Sequence, residues 1–122
     1  MNVSEFLSIT SAIVPEREAI VFGNQRITYF ALQDRVNRLA NALEGLGVTS
    51  GDRIAAMQVN CNEHIETYLA ATKLDALFVP VNFRARSEEV TFMLNDSGAK
   101  TLVFGSRYSE LVKSIAQELT SV

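Results

Sequence analysis

Two arginines are the residues of this chain best suited to contact a ligand. Arg84 and Arg86 lie in a polar segment just before a predicted helix. A guanidinium pair near a helix N-terminus can bind an anion such as a phosphate. The alternative is that both are solvated surface charges that pair with Glu88 and Glu89. Arg107, in a similar position further along the chain, is a weaker candidate of the same kind.

Cys61 and His64 have the spacing of half a zinc site, but the sequence contains only one cysteine and one histidine. Four ligands cannot be completed, so we predict no metal site. A catalytic Cys–His pair is not predicted either, because both residues lie at one helix start without an evident orienting carboxylate. The sequence also lacks a GxGxxG loop after a strand and a GxxxxGK[ST] loop. We therefore predict no catalytic residue and no cofactor for this chain alone.

Three short β-type stretches separated by helical patterns must position these residues. They are predicted as strands at residues 53–59, 78–81 and 101–104. Two helices are predicted between them, one at residues 63–77 and one that Ser87 caps and Gly98 ends. A strand, a helix and a strand within about 30 residues form a parallel βαβ unit with a right-handed crossover. Ligands of such sheets bind beyond the carboxyl ends of the strands, which is where all the candidate residues lie.

Further elements flank these βαβ units. Gly23-Asn24 joins two β-type runs, 19–22 and 25–28, in a predicted antiparallel hairpin. Ser4 is the predicted N-cap of a short amphipathic first helix, and Thr28 that of a long one. We expect these helices, and a last one starting at Ser106 or Ser109, to bury apolar stripes: Phe6, Ile9 and Ile13; Leu32, Val36, Leu39, Leu43 and Leu46; Leu111, Val112, Ile115 and Leu119. The fold class is α/β, a three-layer domain with three parallel strands and a small N-terminal antiparallel hairpin.

Composition limits the classes of function. The chain has 122 residues, 48% of them hydrophobic, which suits one domain with one core. Eleven basic against 14 acidic residues predict no nucleic-acid partner. Its longest apolar runs fall far short of the ~20 residues of a membrane-spanning helix. Glu5 stands where a secretory signal carries basic residues, and a lone cysteine forms no internal disulfide, so we expect a cytoplasmic protein.

The order of these pieces resembles a known family. The chain reads ITY, RVNRLANAL, GVTSGDRIA, VPVNFR and MLNDSGAK, in that order, between about residues 15 and 105. This pattern is similar to the N-terminal portion of the AMP-forming acyl-CoA synthetases, within the adenylate-forming ligase superfamily. One departure is Lys-Leu-Asp-Ala at residues 73–76, where relatives more often have Lys-Ala-Gly-Ala. The missing glycine makes the end of the preceding helix uncertain.

The resemblance implies a two-step ligase. Such enzymes use ATP to activate a carboxylic acid as an acyl-adenylate, releasing pyrophosphate, and then transfer the acyl group to coenzyme A. Their chains are several times longer, and the phosphate loop, the Mg-associated glutamate and the C-terminal catalytic lysine fall beyond the position of Val122. Residues 1–122 are then one N-terminal subdomain, inactive alone, with ATP, Mg, coenzyme A and a small carboxylic acid implied for the intact enzyme. Its partner is the remainder of the ligase chain.

Within the resemblance, the VPVNFR segment favours the CoA-ligase branch over peptide-synthetase adenylation domains. In some CoA ligases the arginine that matches Arg84 lies near the nucleotide end of coenzyme A. We therefore expect Arg84 to contact coenzyme A in the intact enzyme, and Arg86 to contribute less.

Two other functions stay open at this point. The chain could be a stand-alone interaction module, which docks on a ligase or forms a homodimer through exposed apolar faces. It could also bind coenzyme A or a nucleotide by itself through Arg84 and Arg86.

Overall fold

A computed structural model describes residues 2–122 and confirms the α/β class. The hairpin pairs β1 with β2 in antiparallel register, and Gly23 has the positive φ (59°) that its tight turn requires. The elements are α1 (Val3–Ile13), β1 (Glu18–Phe22), β2 (Gln25–Thr28), α2 (Tyr29–Gly45), β3 (Arg53–Met57), α3 (Asn62–Lys73), β4 (Leu77–Pro80), α4 (Ser87–Ser97), β5 (Thr101–Phe104) and α5 (Ser109–Ile115).

The second sheet has the strand order β4-β3-β5, and both of its pairings are parallel. Ile54 of β3 lies in register with Phe78 on one side and with Thr101 on the other. The chain thus runs from β3 through α3 to β4 on one side. It then returns through α4 to β5 on the other side of β3. The three predicted parallel strands are confirmed.

Helices cover both faces of this sheet. In β3, residues Ile54 to Met57 are fully buried and alternate between the two faces, as side chains of a strand must. Ile54 joins the core under α1, α2 and α3, whereas Ala55 and Met57 join the core under α4 and α5. The predicted three-layer arrangement follows directly from this alternation.

Two predicted caps are confirmed and two are wrong. The Thr28 hydroxyl accepts the Ala31 N–H at 3.1 Å, and Gly98 ends α4 in the left-handed conformation (φ 70°). However, Asn2 rather than Ser4 caps α1, because its side-chain oxygen accepts the Ser4 N–H at 2.7 Å. Ser87 is already helical, and Arg86 takes the N-cap position of α4.

Two predicted element ends are also wrong. The first parallel strand stops at Met57 instead of residue 59, and α3 stops at Lys73 instead of residue 77. Asp75 explains the early end of α3, because it adopts a left-handed conformation (φ 58°) at the position where glycine is more usual. The Ser50 hydroxyl donates to its carboxylate at 2.8 Å, and the Gly51 N–H donates to its carbonyl at 2.9 Å. These two bonds hold an aspartate in a glycine-type turn.

Several apolar residues predicted for the core lie on the surface. Phe6, Ile9 and Ile13 of α1 are exposed, and Leu7 is the side chain that α1 buries. Leu46 is 79% exposed because α2 ends before it. The apolar residues of α1 have helical spacing, but spacing alone cannot show which side of a short helix meets the core.

The last helix is shorter than predicted. A 3₁₀ turn, Ser106–Tyr108, precedes α5, and Leu119 lies beyond the helix. Ile115 alone is fully buried in α5, whereas Leu111 and Val112 are half-buried. Among residues 2–122, no helix is long and apolar enough to cross a bilayer.

A polar clasp joins the starts of β3 and β5. The Asp52 carboxylate accepts the Thr49 N–H at 2.9 Å and the Lys100 ammonium at 3.1 Å. The Thr49 bond, aided by Lys100, lowers the pKa of Asp52 below its ordinary value. An acid with a lowered pKa in the folded state stabilises the fold above the pKa of the unfolded chain, about 4, and loses that contribution as the pH falls through the lowered value.

We therefore expect Asp52→Asn to reduce the loss of stability on acidification. Thermal unfolding can be followed from pH 5 down to ~pH 3 or below, as far as the chain stays folded. Over this range the decrease in Tm should be smaller for the variant than for the wild type. Asp96→Asn, on the exposed face of α4, is the matched control and should follow the wild type. Identical acid profiles for Asp52→Asn and the wild type would show that the clasp does not hold the folded chain.

Candidate functional site

The strand order creates one topological switch point. The neighbouring strands β3 and β5 lead to helices on opposite faces of the sheet, α3 and α5. Their connections separate at the carboxyl ends and leave a crevice, which is the usual ligand position in open α/β sheets. The cleft there has a volume of about 370 Å³, and its polar lining is Gln58, Cys61 and Glu63 after β3 and Ser106, Arg107 and Tyr108 after β5.

Cys61 is not an activated nucleophile. It occupies the N-cap position of α3, and burial raises the pKa of its thiol above the ordinary value. His64 packs edge-to-face on Phe78, with ring centroids 5.4 Å apart. Among residues 2–122, the structure contains no group of three His, Cys, Asp or Glu side chains placed to hold a metal ion. The crevice presents polar groups, but burial disfavours the thiolate form that a nucleophilic cysteine requires.

Arg84 and Arg86 lie in the loop after β4, outside the polar lining of the crevice. Both are exposed, and within the part of the chain that the structure describes neither guanidinium forms an ion pair. The guanidinium carbon of Arg84 lies 5.4 Å from the centre of the Phe83 ring. The backbone N–H of Arg84 donates to the Asn82 side-chain oxygen at 2.9 Å. The alternative pairing of these guanidinium groups with Glu88 and Glu89 is not seen among the described ion pairs. Instead, the backbone N–H of Arg86 donates to the Glu89 carboxylate at 2.9 Å.

A buried polar cluster, which the sequence patterns do not predict, lies beside the crevice. Glu66 of α3 is buried and accepts the Arg35 guanidinium of α2 at Nε and, at 3.3 Å, at Nη2. Asn62, which is 1% exposed, donates to the same carboxylate at 3.4 Å. The hydrogen bond to Glu66 raises the pKa of Arg35 above its ordinary value. This cluster fixes α2 against α3 and thereby positions the start of α3 at the crevice.

A signal for this cluster was present in the sequence. Asn62, Glu66 and Ala70 follow one another at intervals of four, so they share one helix face, and that face is buried. Counting only apolar residues hides such a face. Gln58 is a further buried polar residue at this place, and no described residue donates to its Oε1 atom.

The fold and the crevice define the class of protein. A parallel β4-β3-β5 sheet between two helical layers, preceded by a hairpin, is the arrangement of the N-terminal domains of acyl-CoA ligases. The chain belongs to the AMP-binding enzyme family, whose model matches residues 9–122. The resemblance noted in the sequence is thereby confirmed.

Individual relatives agree with this assignment. A feruloyl-CoA synthase from Amycolatopsis sp is 39% identical over 102 residues, which are 84% of this chain and 21% of that protein. A 3-oxocholest-4-en-26-oate–CoA ligase from Rhodococcus rhodochrous is 30% identical over 94% of this chain and 21% of its own length. The inhibitor-bound N-terminal domain of FACL13 from Mycobacterium tuberculosis superimposes with a TM-score of 0.91 at 31% identity, over 98% of this chain and 32% of that one. The chain thus spans about a fifth of the curated relatives that it matches.

The Arg35–Glu66 pair should contribute measurably to stability. Arg35→Met leaves the Glu66 carboxylate buried without its charged partner, so we expect a loss of about 2 kcal/mol in the free energy of unfolding. Replacing both residues by methionine removes the unpaired charge, so the double variant should recover part of that loss. Urea unfolding of both single variants and the double variant measures this coupling. Strictly additive losses would show that the two side chains do not interact.

Proposed function

We propose that this chain is the N-terminal subdomain of an AMP-forming acid–CoA ligase, and that it supplies structure and binding contacts rather than catalytic groups. The observation that carries the proposal is that residues 9–122 match the family throughout. Burial also raises the pKa of the Cys61 thiol in the switch-point crevice, which disfavours a nucleophilic role for it. The reaction would join a carboxylic acid to coenzyme A. ATP would activate the acid as an acyl-adenylate, and the coenzyme A thiol would then displace AMP.

The crevice does not fit the triphosphate of ATP. A phosphate cradle presents several N–H groups and cations, whereas here Arg107 shares the cleft with the Glu63 carboxylate. The groups that hold ATP and Mg²⁺ would therefore come from the remainder of the ligase chain, which is the main partner of this subdomain. On this proposal the 122-residue chain alone is inactive.

Arg84 is the residue we propose to contact coenzyme A in the intact enzyme. Its guanidinium is exposed, and none of the ion pairs in residues 2–122 involves it. The Asn82 side chain holds its backbone at 2.9 Å, so the loop geometry is fixed. A phosphate of coenzyme A would find a positive charge there at low desolvation cost. Arg86 contributes less, because the Glu89 carboxylate, which accepts the Arg86 backbone N–H at 2.9 Å, places a negative charge beside it.

The acid is assigned only as a carboxylic acid. The names of the relatives cited above include an aromatic acid and a steroid acid, at 39% and 30% identity. We also propose a cytoplasmic location, where the single thiol of Cys61 stays reduced.

Pyrophosphate release tests this proposal. The 122-residue chain with ATP, Mg²⁺, coenzyme A and a panel of carboxylic acids should release no more pyrophosphate than a blank. A polypeptide that continues through the downstream coding sequence should release it only when a suitable acid is present. Acid-dependent turnover by the 122-residue chain would contradict the scaffold role.

The same longer polypeptide tests Arg84. Arg84→Ala should leave acid-dependent pyrophosphate release unchanged and raise the KM for coenzyme A about tenfold, the value of one charge-assisted hydrogen bond. Arg26→Ala, on the hairpin, removes an exposed arginine of the same charge and is the control. An unchanged KM in Arg84→Ala would remove this residue from the coenzyme A site.

A further inference from the structure

The outer face of α1 is apolar and exposed. Leu7 is the side chain that α1 buries, and the helix packs on α2 and α3. The apolar residues of the opposite side follow one another at spacings of three and four, so they share one face of the helix. The exposed apolar residues of this face are Val3, Phe6, Ile9 and Ile13.

Phe30 enlarges this face at one end. Its backbone N–H donates to the Pro15 carbonyl at 3.1 Å, and the Ser11 hydroxyl of α1 donates to the Tyr29 carbonyl at 3.1 Å. These two bonds hold the start of α2 beside the end of α1, and the Phe30 side chain is exposed there. The term α1 surface is used below for five side chains: Val3, Phe6, Ile9, Ile13 and Phe30.

The size of the α1 surface suits a protein interface. Its five side chains are between 43% and 72% exposed. Because a whole aromatic side chain presents roughly 150–250 Å², and an aliphatic one somewhat less, the five together present roughly 500 Å² per copy. An apolar patch of this size on a soluble domain is often an interaction site. Two copies would bury roughly 1,000 Å² between them, which is the area that a specific interface needs.

We propose that the α1 surface pairs with the α1 surface of a second copy of this chain. In an antiparallel pair a two-fold axis passes near Ile9, so Phe6 of each copy packs on Ile13 of the other. Phe30 then lies against Val3 of the second copy. The surface is thus self-complementary, because each aromatic ring meets an aliphatic side chain. This dimer does not depend on the ligase assignment.

The charges of α1 favour this occupant over a lipid surface. The helix contains one acidic residue, Glu5, and no basic one, whereas a helix that lies on an anionic membrane carries Lys and Arg on its polar face. In the antiparallel pair each Glu5 approaches Glu16 and Arg17 of the other copy, which together carry no net charge. Within residues 2–122, Glu5 and Arg17 form no ion pair, so they are available to each other across the axis.

Sedimentation velocity of the 122-residue chain over a wide concentration range tests the proposal. The wild type should change from monomer to dimer as the concentration rises. Phe6→Glu places a carboxylate in the apolar contact, so the dissociation constant should rise about tenfold or more. Phe92→Glu makes the same change on α4, at a side chain of similar exposure, and should dimerise like the wild type.

Cross-linking tests the antiparallel geometry. Ile9→Cys, in a chain whose own thiol is removed by Cys61→Ser, should form an intermolecular disulfide on mild oxidation, because residue 9 of both copies lies near the axis. Phe92→Cys in the same background is the control and should form none. Circular dichroism of each variant verifies that it is folded.

Three outcomes would overturn the proposal. A wild type that stays monomeric at every concentration would leave the α1 surface to the remainder of the ligase chain. A dimer that Phe92→Glu disrupts and Phe6→Glu leaves intact would place the contact elsewhere. Flotation of a monomeric chain with phosphatidylglycerol vesicles, abolished by Phe6→Glu, would assign the surface to a lipid. None of these results bears on pyrophosphate release, so this dimer and the ligase assignment fail separately.

Discussion

The burial of β3 on both faces and at both edges is the constraint on which the rest of this structure depends. Its residues Ile54 to Met57 are fully buried, and two of them are alanines. Small side chains let helices approach the sheet closely, and larger ones at Ile54 and Met57 fill one core each. A strand that is enclosed in this way needs a neighbour on each side and a helical layer on each face. Because both neighbours are parallel to β3, the loops that follow the three strands all lie at their carboxyl ends.

The sequence was informative at several positions where a local interaction fixes the end of a helix, although the caps predicted at Ser4 and Ser87 are wrong. Thr28 and Gly98 mark helix ends through hydrogen bonding and a left-handed backbone, and both predictions are confirmed. The face of α1 was not predictable in this way. Phe6 and Ile13 have the right spacing, but Leu7 is buried instead, because packing on α2 and α3 decides which side of an eleven-residue helix meets the core.

The candidate site was predictable only in its location. Parallel topology places candidates at the carboxyl ends of the strands, and Arg107 and Cys61 do line the crevice there. Glu66 and Gln58 were missed because buried polar groups interrupt the apolar patterns on which the interpretation relied. A buried carboxylate requires a partner. The pairing of Arg35 with Glu66 is therefore necessary for the packing of α3 against α2, and it is not an incidental surface contact.

Native-state hydrogen exchange tests the central role of β3 most directly. If the enclosure of this strand determines the fold, the amides of Ala55 and Ala56 exchange only when the whole chain unfolds. Their opening free energy should then equal the free energy of unfolding obtained from urea denaturation. The hairpin and α1, which lie outside the parallel sheet, should open at lower free energy. Exchange of the β3 amides through a local opening, with α2 or the hairpin still protected, would contradict this account.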